Sequence, residues 1–257
     1  MVNLYVEDGE LKSRTPLFPE SFRYVDTIRE ISGSIKKNRK EIVMLCNALA
    51  LCENKRMAID IGANIGFHST IYSKYFKTVH AFEPNSNIFK INLSNVKCHH
   101  HLVSSSNEPL TFMQCDDRLH STHSYVEKTF PDLKVKPHHG TFVPRTITPV
   151  TIDQYNFTEV DLIKIDVEGH ELDVLKGASQ TILKNRPVII LECWGLDRSA
   201  LAYCVNELGY KHMIGFAYSN FIITDWIPGT EFIGKYVDVE LNGNNVKNIE
   251  LKGLQTK

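Results

Sequence analysis

The stretch Met57-Ala58-Ile59-Asp60-Ile61-Gly62-Ala63-Asn64-Ile65-Gly66-Phe67-His68-Ser69 constrains this chain more than any other. It reads as a short buried strand, a tight glycine turn and the opening of a helix. Ile59 and Ile61 are β-branched, which suits a strand packed on both faces. Asp60 sits at the strand's end. Gly62 and Gly66 flank a turn where a side chain would block the backbone path or a ligand's approach. Strand, glycine turn and helix in succession place free backbone N–H groups at the carboxyl edge of a sheet, a small-molecule site in α/β proteins.

The chain beyond Ser69 repeats that rhythm. Strands are expected at 78–83 (closed by Pro84), 96–103, 161–167, 187–192, 211–215 and 221–224. Helices are expected at 85–95 and 198–208, and after 167, where Leu172, Leu175, Ala178 and Ile182 fall on one stripe. Alternating strands and helices imply a mostly parallel sheet with right-handed crossovers. Before it, residues 1–21 read as an irregular arm. Residues 22–55 read as two helical pieces broken near Gly33, the second covering about 40–53. The tail from Glu231 alternates, with Asn242-Gly243 as a hairpin turn. The expected division is an N-terminal arm with cap helices at 1–55 and an α/β domain at 56–257. Residues 104–150 interrupt the rhythm with strand pieces at 110–115 and 142–148 around a polar, histidine-bearing stretch. A connection that long is functional or mobile, and a lid over the substrate is expected there.

The chain has 257 residues, enough for one sizeable α/β domain, and a formal net charge of −1. That charge gives no electrostatic case for nucleic acid. No apolar run approaches the roughly 20 residues that span a bilayer. The N-terminus shows no basic segment followed by an apolar core, so a cytoplasmic protein is expected. Cys46, Cys52, Cys98, Cys115, Cys193 and Cys204 form no C-x-x-C pair and read as free thiols. His99-His100-His101 lies on an expected strand, whose alternation prevents all three from meeting one ion. His120, His123, His138 and His139 with Asp116 or Asp117 are the remaining metal candidates, and nothing in the sequence fixes their geometry. No metal is expected.

The glycine turn fails two phosphate-binding patterns. A dinucleotide fingerprint needs glycine where Asn64 stands, and a phosphate loop needs a lysine after Gly66. A strand-end acid beside the turn would repel phosphate. That same acid suits a cation, such as the sulfonium and amino-acid head of S-adenosylmethionine. Glu83, at the end of the next strand, is placed to accept hydrogen bonds from both ribose hydroxyls.

Here the sequence resembles the FkbM-type methyltransferases, class I enzymes that use S-adenosylmethionine. The resemblance rests on Ile59 to Gly66, on Ala81-Phe82-Glu83-Pro84-Asn85 and on Thr151-Ile152-Asp153. It rests most on Leu162-Ile163-Lys164-Ile165-Asp166-Val167-Glu168-Gly169-His170-Glu171 with Val174-Leu175-Lys176-Gly177-Ala178, completed by Arg186-Pro187 and Leu191-Glu192. It implies a Rossmann-like seven-stranded sheet of order 3-2-1-4-5-7-6 with strand seven antiparallel. It implies a cofactor site at the carboxyl edge of strands one, two and four. The cofactor-binding candidates are Asp60, Gly62, Ala63, Asn64, Gly66, Ser69, Glu83, Pro84, Ser104 and Asp166. It also implies methylation of a hydroxyl oxygen on a sugar, glycan or other small natural-product-like acceptor.

An alcohol must lose its proton as its oxygen attacks, so a general base helps. The candidates are Asp166, Glu168 and His170 where strand four meets its helix, with Glu192 at the end of strand five. His68 follows the turn and is placed near the methionine portion or the acceptor. Glu168 and Glu171 also fit a purely structural role, as acids opposing a helix dipole. The alternative function is a non-catalytic S-adenosylmethionine-binding module of the same fold. The presence of Asp60, Glu83, Asp166 and Glu168 together favours the enzyme.

Overall fold

The computed structural model describes residues 3–7, 10–14, 39–115, 124–129, 142–193, 198–216, 219–226, 235–242 and 245–253. Helix α1 (Arg39–Leu51) precedes strand β1 (Met57–Ile61), helix α2 (Phe67–Ser73), β2 (Thr78–Phe82), β3 (Val96–His99) and β4 (Val160–Ile165). Helices α3 (Glu171–Gly177) and α4 (Ser179–Asn185), β5 (Val188–Glu192), α5 (Ser199–Asn206), β6 (His212–Phe216) and β7 (Asn220–Thr224) follow. The sheet order is β3-β2-β1-β4-β5-β7-β6. β7 runs antiparallel to both neighbours, while β3, β2, β1, β4 and β5 pair in parallel. This is the seven-stranded topology expected from the resemblance.

Alternation along the strands divides the core into two layers. Ala58, Val79, Leu162, Ile190 and Ile222 pack with Leu45 and Leu49 of α1 and with Ile71 and Tyr72 of α2. The next residues along, Ile59, Ile163, Ile189 and Ile223, turn to the opposite face and meet Val174, Leu175, Ile182, Leu201 and Cys204 of α3, α4 and α5. The central strands are therefore apolar on both faces, as a covered parallel sheet requires. Asp60 and Lys164 are directly paired across β1 and β4. They share the face of Ala58 and Leu162, beneath α1 and α2.

Several expectations are corrected. Residues 1–21 are not irregular throughout, because Asn3–Glu7 and Glu10–Arg14 pair as an antiparallel hairpin. Asp8-Gly9 between them is a strong hairpin signal in the sequence. No helix fills 85–95, which holds only short turns at 86–88 and 94–95. The segment is rich in Asn and Ser, whose side chains compete for backbone groups. Asn85 Oδ1 accepts from Asn87 N at 3.1 Å, and Asn95 Nδ2 donates to Ser73 O and Phe76 O. β3 ends at His99, and beyond it Val103 only bridges Val150. The helix after β4 breaks into α3 and α4 at Ala178, just past Gly177, where an added Cβ would lie 2.0 Å from Ser104 O.

The 104–150 insertion carries a three-stranded antiparallel sheet, with Leu110–Cys115 between Tyr125–Val126 and Phe142–Ile147. The strand piece expected at 110–115 is observed, and the one expected at 142–148 ends one residue sooner. Lys235–Asn242 and Asn245–Gly253 pair as a terminal antiparallel hairpin, and Gly243 of the expected turn lies outside the described residues. The helical piece expected before residue 39 and the histidines 120, 123, 138 and 139 lie outside the described residues. All six cysteines are free, and all but Cys98 are buried. Among the described residues no helix is long and apolar enough to cross a membrane, and no group of three or more His, Cys, Asp or Glu is arranged to hold a metal ion.

Candidate active site

The glycine turn leaves β1 through three left-handed residues, Gly62 (φ 78°), Asn64 (φ 50°) and Gly66 (φ 85°). Gly62 N and Ala63 N both donate to Phe82 O at 3.0 Å, and Gly66 N donates to Ala63 O at 2.8 Å. A Cβ on Gly62 would stand 1.7 Å from Asp166 O. Glycine is thus required twice there, by conformation and by the close approach of the β4 terminus. Ile65, at the tip, is 48% exposed.

Glu83 ties the turn to the end of β2. Its Oε2 accepts from Asn64 N at 3.0 Å and its Oε1 from Asn85 N at 2.9 Å. Burial pushes its carboxyl up to about 7, against the pull of those two backbone donors. Each oxygen keeps a second lone pair for a ligand hydroxyl. Pro84 follows it half-buried, next to the buried Asn85.

Beneath the turn lies an ionic cluster. Asp60 is fully buried, and its Oδ2 accepts from Ser69 Oγ at 2.5 Å. Asp60 Oδ1 faces Lys164 Nζ at 3.8 Å, and Lys164 Nζ donates to Asp166 Oδ2 at 3.0 Å. Burial alone would lower the Lys164 ammonium, but Asp166 and Asp60 outweigh it and hold the lysine charged. Burial would raise Asp166, but Lys164 and a hydrogen bond with Glu192 keep it low. Glu192 is driven the other way, up to about 9, by burial and by the charge of Asp166. Asp60 and Ser69 therefore sit under the site as its support, while Asp166, 28% exposed at its side chain, faces outward.

Glu168 adds a further acid with strained backbone. It adopts φ 54° and is followed by Gly169 at φ 92°. Glu171 Oε1 accepts from Val167 N at 3.3 Å and from Gly169 N at 3.0 Å, so Glu171 fixes the loop that presents Glu168. Burial, then the nearby charges of Asp166 and Glu171, raise Glu168 to about 8. A carboxyl near neutrality at a strained loop position is the profile of a proton-transfer group.

His170 has other engagements. Its Nε2 lies 3.0 Å from Ser104 Oγ, and its Nδ1 lies 3.4 Å from Asp173 Oδ2. Asp173 also accepts from Ser105 Oγ at 2.8 Å and pairs with Lys128 at 3.1 Å. Both ring nitrogens are occupied, and burial lowers the imidazole to about 4 despite Asp173. Ser104 and His170 thus form one clip between the start of the insertion and α3. Both are buried.

Sequence reasoning passed over Lys164 as a site residue. A lysine between Ile163 and Ile165 on a central strand was the available signal, because a buried ammonium requires paired acids. It also passed over Glu41, which reaches His68 from α1 at 2.9 Å.

Residues 60–210 match the methyltransferase FkbM domain. Over 208 residues the chain is 27% identical to the hexuronic acid methyltransferase AglP of Haloferax volcanii, covering 76% of this chain and 81% of that protein. Among solved structures it is similar to methyltransferase FkbM from Methylobacillus flagellatus KT, at 15% identity and a TM-score of 0.40. That similarity covers 79% of this chain and 59% of the other, so the chain spans less than two thirds of that relative's length. It is also similar to precorrin 8w decarboxylase of Methanobacterium thermoautotrophicum, at 13% identity and a TM-score of 0.41, covering 70% and 88%. The domain match takes in more than half of the 257 residues, and the chain belongs to the FkbM methyltransferase family.

Proposed function

We propose that this methyltransferase uses S-adenosylmethionine to methylate a hydroxyl oxygen on a sugar or glycan acceptor. The observation that carries the donor assignment is the link between Glu83 and the glycine turn, with Asp166 packed against Gly62. The residues fit such a donor. Asp60, Glu83, Asp166, Glu168 and Glu192 gather at one sheet edge around a single buried lysine. A cationic ligand relieves that excess of acid. Glu83 offers acceptor lone pairs for ribose hydroxyls, and Gly62 lets the backbone come close.

When bound, S-adenosylmethionine supplies an electrophilic methyl group on a sulfonium. The chain's own contribution is mainly positioning. Asp166, fixed by Lys164, lines the donor side. Glu168 takes the acceptor's hydroxyl proton onto its carboxylate. His170 positions α3 through its clip with Ser104. The sugar class is supported by the relative that acts on hexuronic acid. A non-catalytic module has less support, because Glu168 sits in a strained, high-pKa setting that mere binding does not need.

The test is a labelled methyl-transfer assay against neutral sugars, uronic acids and their glycosides, with Glu83→Ala as control. Product stable to mild alkali marks a methyl ether, as expected. Alkali-labile product marks a carboxylate acceptor and overturns the hydroxyl assignment. Folded wild-type protein that fails to bind S-adenosylmethionine in calorimetry overturns the donor assignment.

A further inference from the structure

Three ties run from the 104–150 insertion to the start of helix α3, and they end on two residues one turn apart. Ser104 Oγ lies 3.0 Å from His170 Nε2. Ser105 Oγ donates to Asp173 Oδ1 at 2.8 Å, and Lys128 Nζ pairs with Asp173 Oδ2 at 3.1 Å. That same Oδ2 faces His170 Nδ1 at 3.4 Å. Lys128 is firmly attached to the insertion's sheet. Its turn, Glu127–Thr129, packs on the strand Leu110–Cys115, and the preceding Val126 pairs with Phe112. Asp173 is therefore where the first residues of the insertion and its sheet meet the main domain. Burial alone would raise its carboxyl, but Ser105, Lys128 and His170 hold it below its ordinary value, so it stays charged.

The seating of α3 does not need these ties. Val174 and Leu175 are fully buried and already fix the helix against the sheet. An apolar side chain at position 170 would avoid the cost of burying a polar ring. What the ties do reach is the loop before the helix. Glu168 and Gly169 both stand in left-handed backbone there. For a residue other than glycine, such a conformation persists only where the surroundings over-determine it. On one side the loop is held at Asp166, by Gly62 and Lys164. On the other it runs directly into His170, whose backbone O accepts from Val174 N. A buried polar ring with a partner at each nitrogen fixes one geometry where apolar packing tolerates several.

Resting on the reading of Glu168 as the base, we propose that Asp173 is a positioning residue that couples the insertion to the Glu168 loop. The insertion, through Lys128 and Ser105, holds the Asp173 carboxylate. The carboxylate and Ser104 hold the imidazole, and the imidazole holds the end of the loop. A change at Lys128 then alters the setting of Glu168 without touching it.

The test is NMR on the free, full-length protein, with two readouts. Hydrogen exchange at the Val167 and Gly169 amides reports the loop, since both amides donate to Glu171 within it. Carbon-13 titration of the Glu168 carboxyl reports how dry the loop keeps it. Asp173→Asn keeps shape and removes charge. Lys128→Met removes the cation from the insertion's side alone, and Lys128→Arg restores it. Asp173→Asn should speed exchange at both amides about tenfold. Lys128→Met breaks a partly exposed pair and should speed it about threefold, while Lys128→Arg should match wild type. In the first two variants the Glu168 midpoint should fall from about 8 toward the ordinary 4.5 as water gains access. Exchange within β4 and β5 should stay within about twofold of wild type throughout. That pattern supports the coupling. Unchanged exchange at Val167 and Gly169 in either Asp173→Asn or Lys128→Met overturns it. Faster exchange that spreads through β4 and β5, or an unmoved Glu168 midpoint, also overturns it. Neither readout uses the reaction, so failure of the base reading shows separately. Glu168→Gln with wild-type turnover removes the base, and with it the role given to Asp173.

Discussion

Asp60 and Lys164 are paired residue for residue across β1 and β4, both buried, with Oδ1 and Nζ 3.8 Å apart. Lys164 also bonds Asp166, so one ammonium holds two strand-end acids in place. Lys164→Met keeps much of the side-chain volume but leaves Asp60 and Asp166 without their cation. Breaking a buried pair in this way costs about 3–5 kcal/mol. Urea denaturation at neutral pH should show that loss, and donor binding should fall with it.

Gly62→Ala tests the interlock between the turn and β4. The added methyl has no room beside Asp166 O, and φ 78° disfavours any side chain. The variant should lose about 1–3 kcal/mol of stability through backbone strain. Donor affinity should drop further than stability does, because the displaced groups are the ones proposed to meet the ligand. Thermal melts and calorimetry on the same sample separate the two effects.

Glu168 sets a pH signature. Its folded pKa, about 8, lies above the ordinary 4.5. The raised pKa favours the fold fully below about pH 4.5, and that contribution is lost as pH rises through 8. Glu168→Gln should therefore gain stability relative to wild type between pH 6 and pH 9. Methyl transfer should move the opposite way: wild-type rate should rise with pH toward the ionised carboxylate, and the Gln variant should lose about 10²-fold or more. Paired denaturation and rate profiles across that range give both curves.

His170 has the reverse dependence. Its folded pKa, about 4, lies below 6.5, so the clip's contribution is complete above pH 6.5 and lost as pH falls toward 4. The full span corresponds to about 3 kcal/mol. In His170→Gln the slope of stability between pH 6.5 and pH 4 should flatten. The slopes of His80 and His99, both also lowered to about 4 by burial, should remain.

Arg186 predicts stability without function. Its guanidinium pairs with Asp225 through Nε at 2.7 Å and Nη2 at 2.8 Å, donates to Leu208 O, and lies 4.2 Å from the centre of the Tyr210 ring. It joins the end of α4 to the loop after β7, away from the donor turn. Arg186→Lys should cost about 1 kcal/mol, because a lysine cannot reproduce the fork and the pair is partly solvated. S-adenosylmethionine affinity should not change.

The sheet was legible because its signals are local. Ile59 and Ile61, Ile163 and Ile165, and Val188 to Leu191 announce buried strands whatever lies around them. The glycine turn announces itself in the same way. The region 85–95 misled because Asn85 and Asn95 use their amides on neighbouring backbone, a choice made by the tertiary surroundings. Ser104 and His170 were each suspected, but not their union across 66 positions. Glu41 with His68 was similarly hidden, since only helix packing brings them together.

Alternation on the strands has a consequence for how this site can change. Asp60 and Lys164 ride with Ala58 and Leu162 on one face, and the odd-numbered isoleucines fill the other. Substitution can therefore tune the ionic side and the oily side separately. Inserting or deleting one residue within β1 or β4 exchanges the two sides, sending a charge into hydrocarbon and an isoleucine into the ion cluster. The site is open to point change and closed to any shift in reading of those two strands. Variation in length is left to the turns and to the 104–150 insertion.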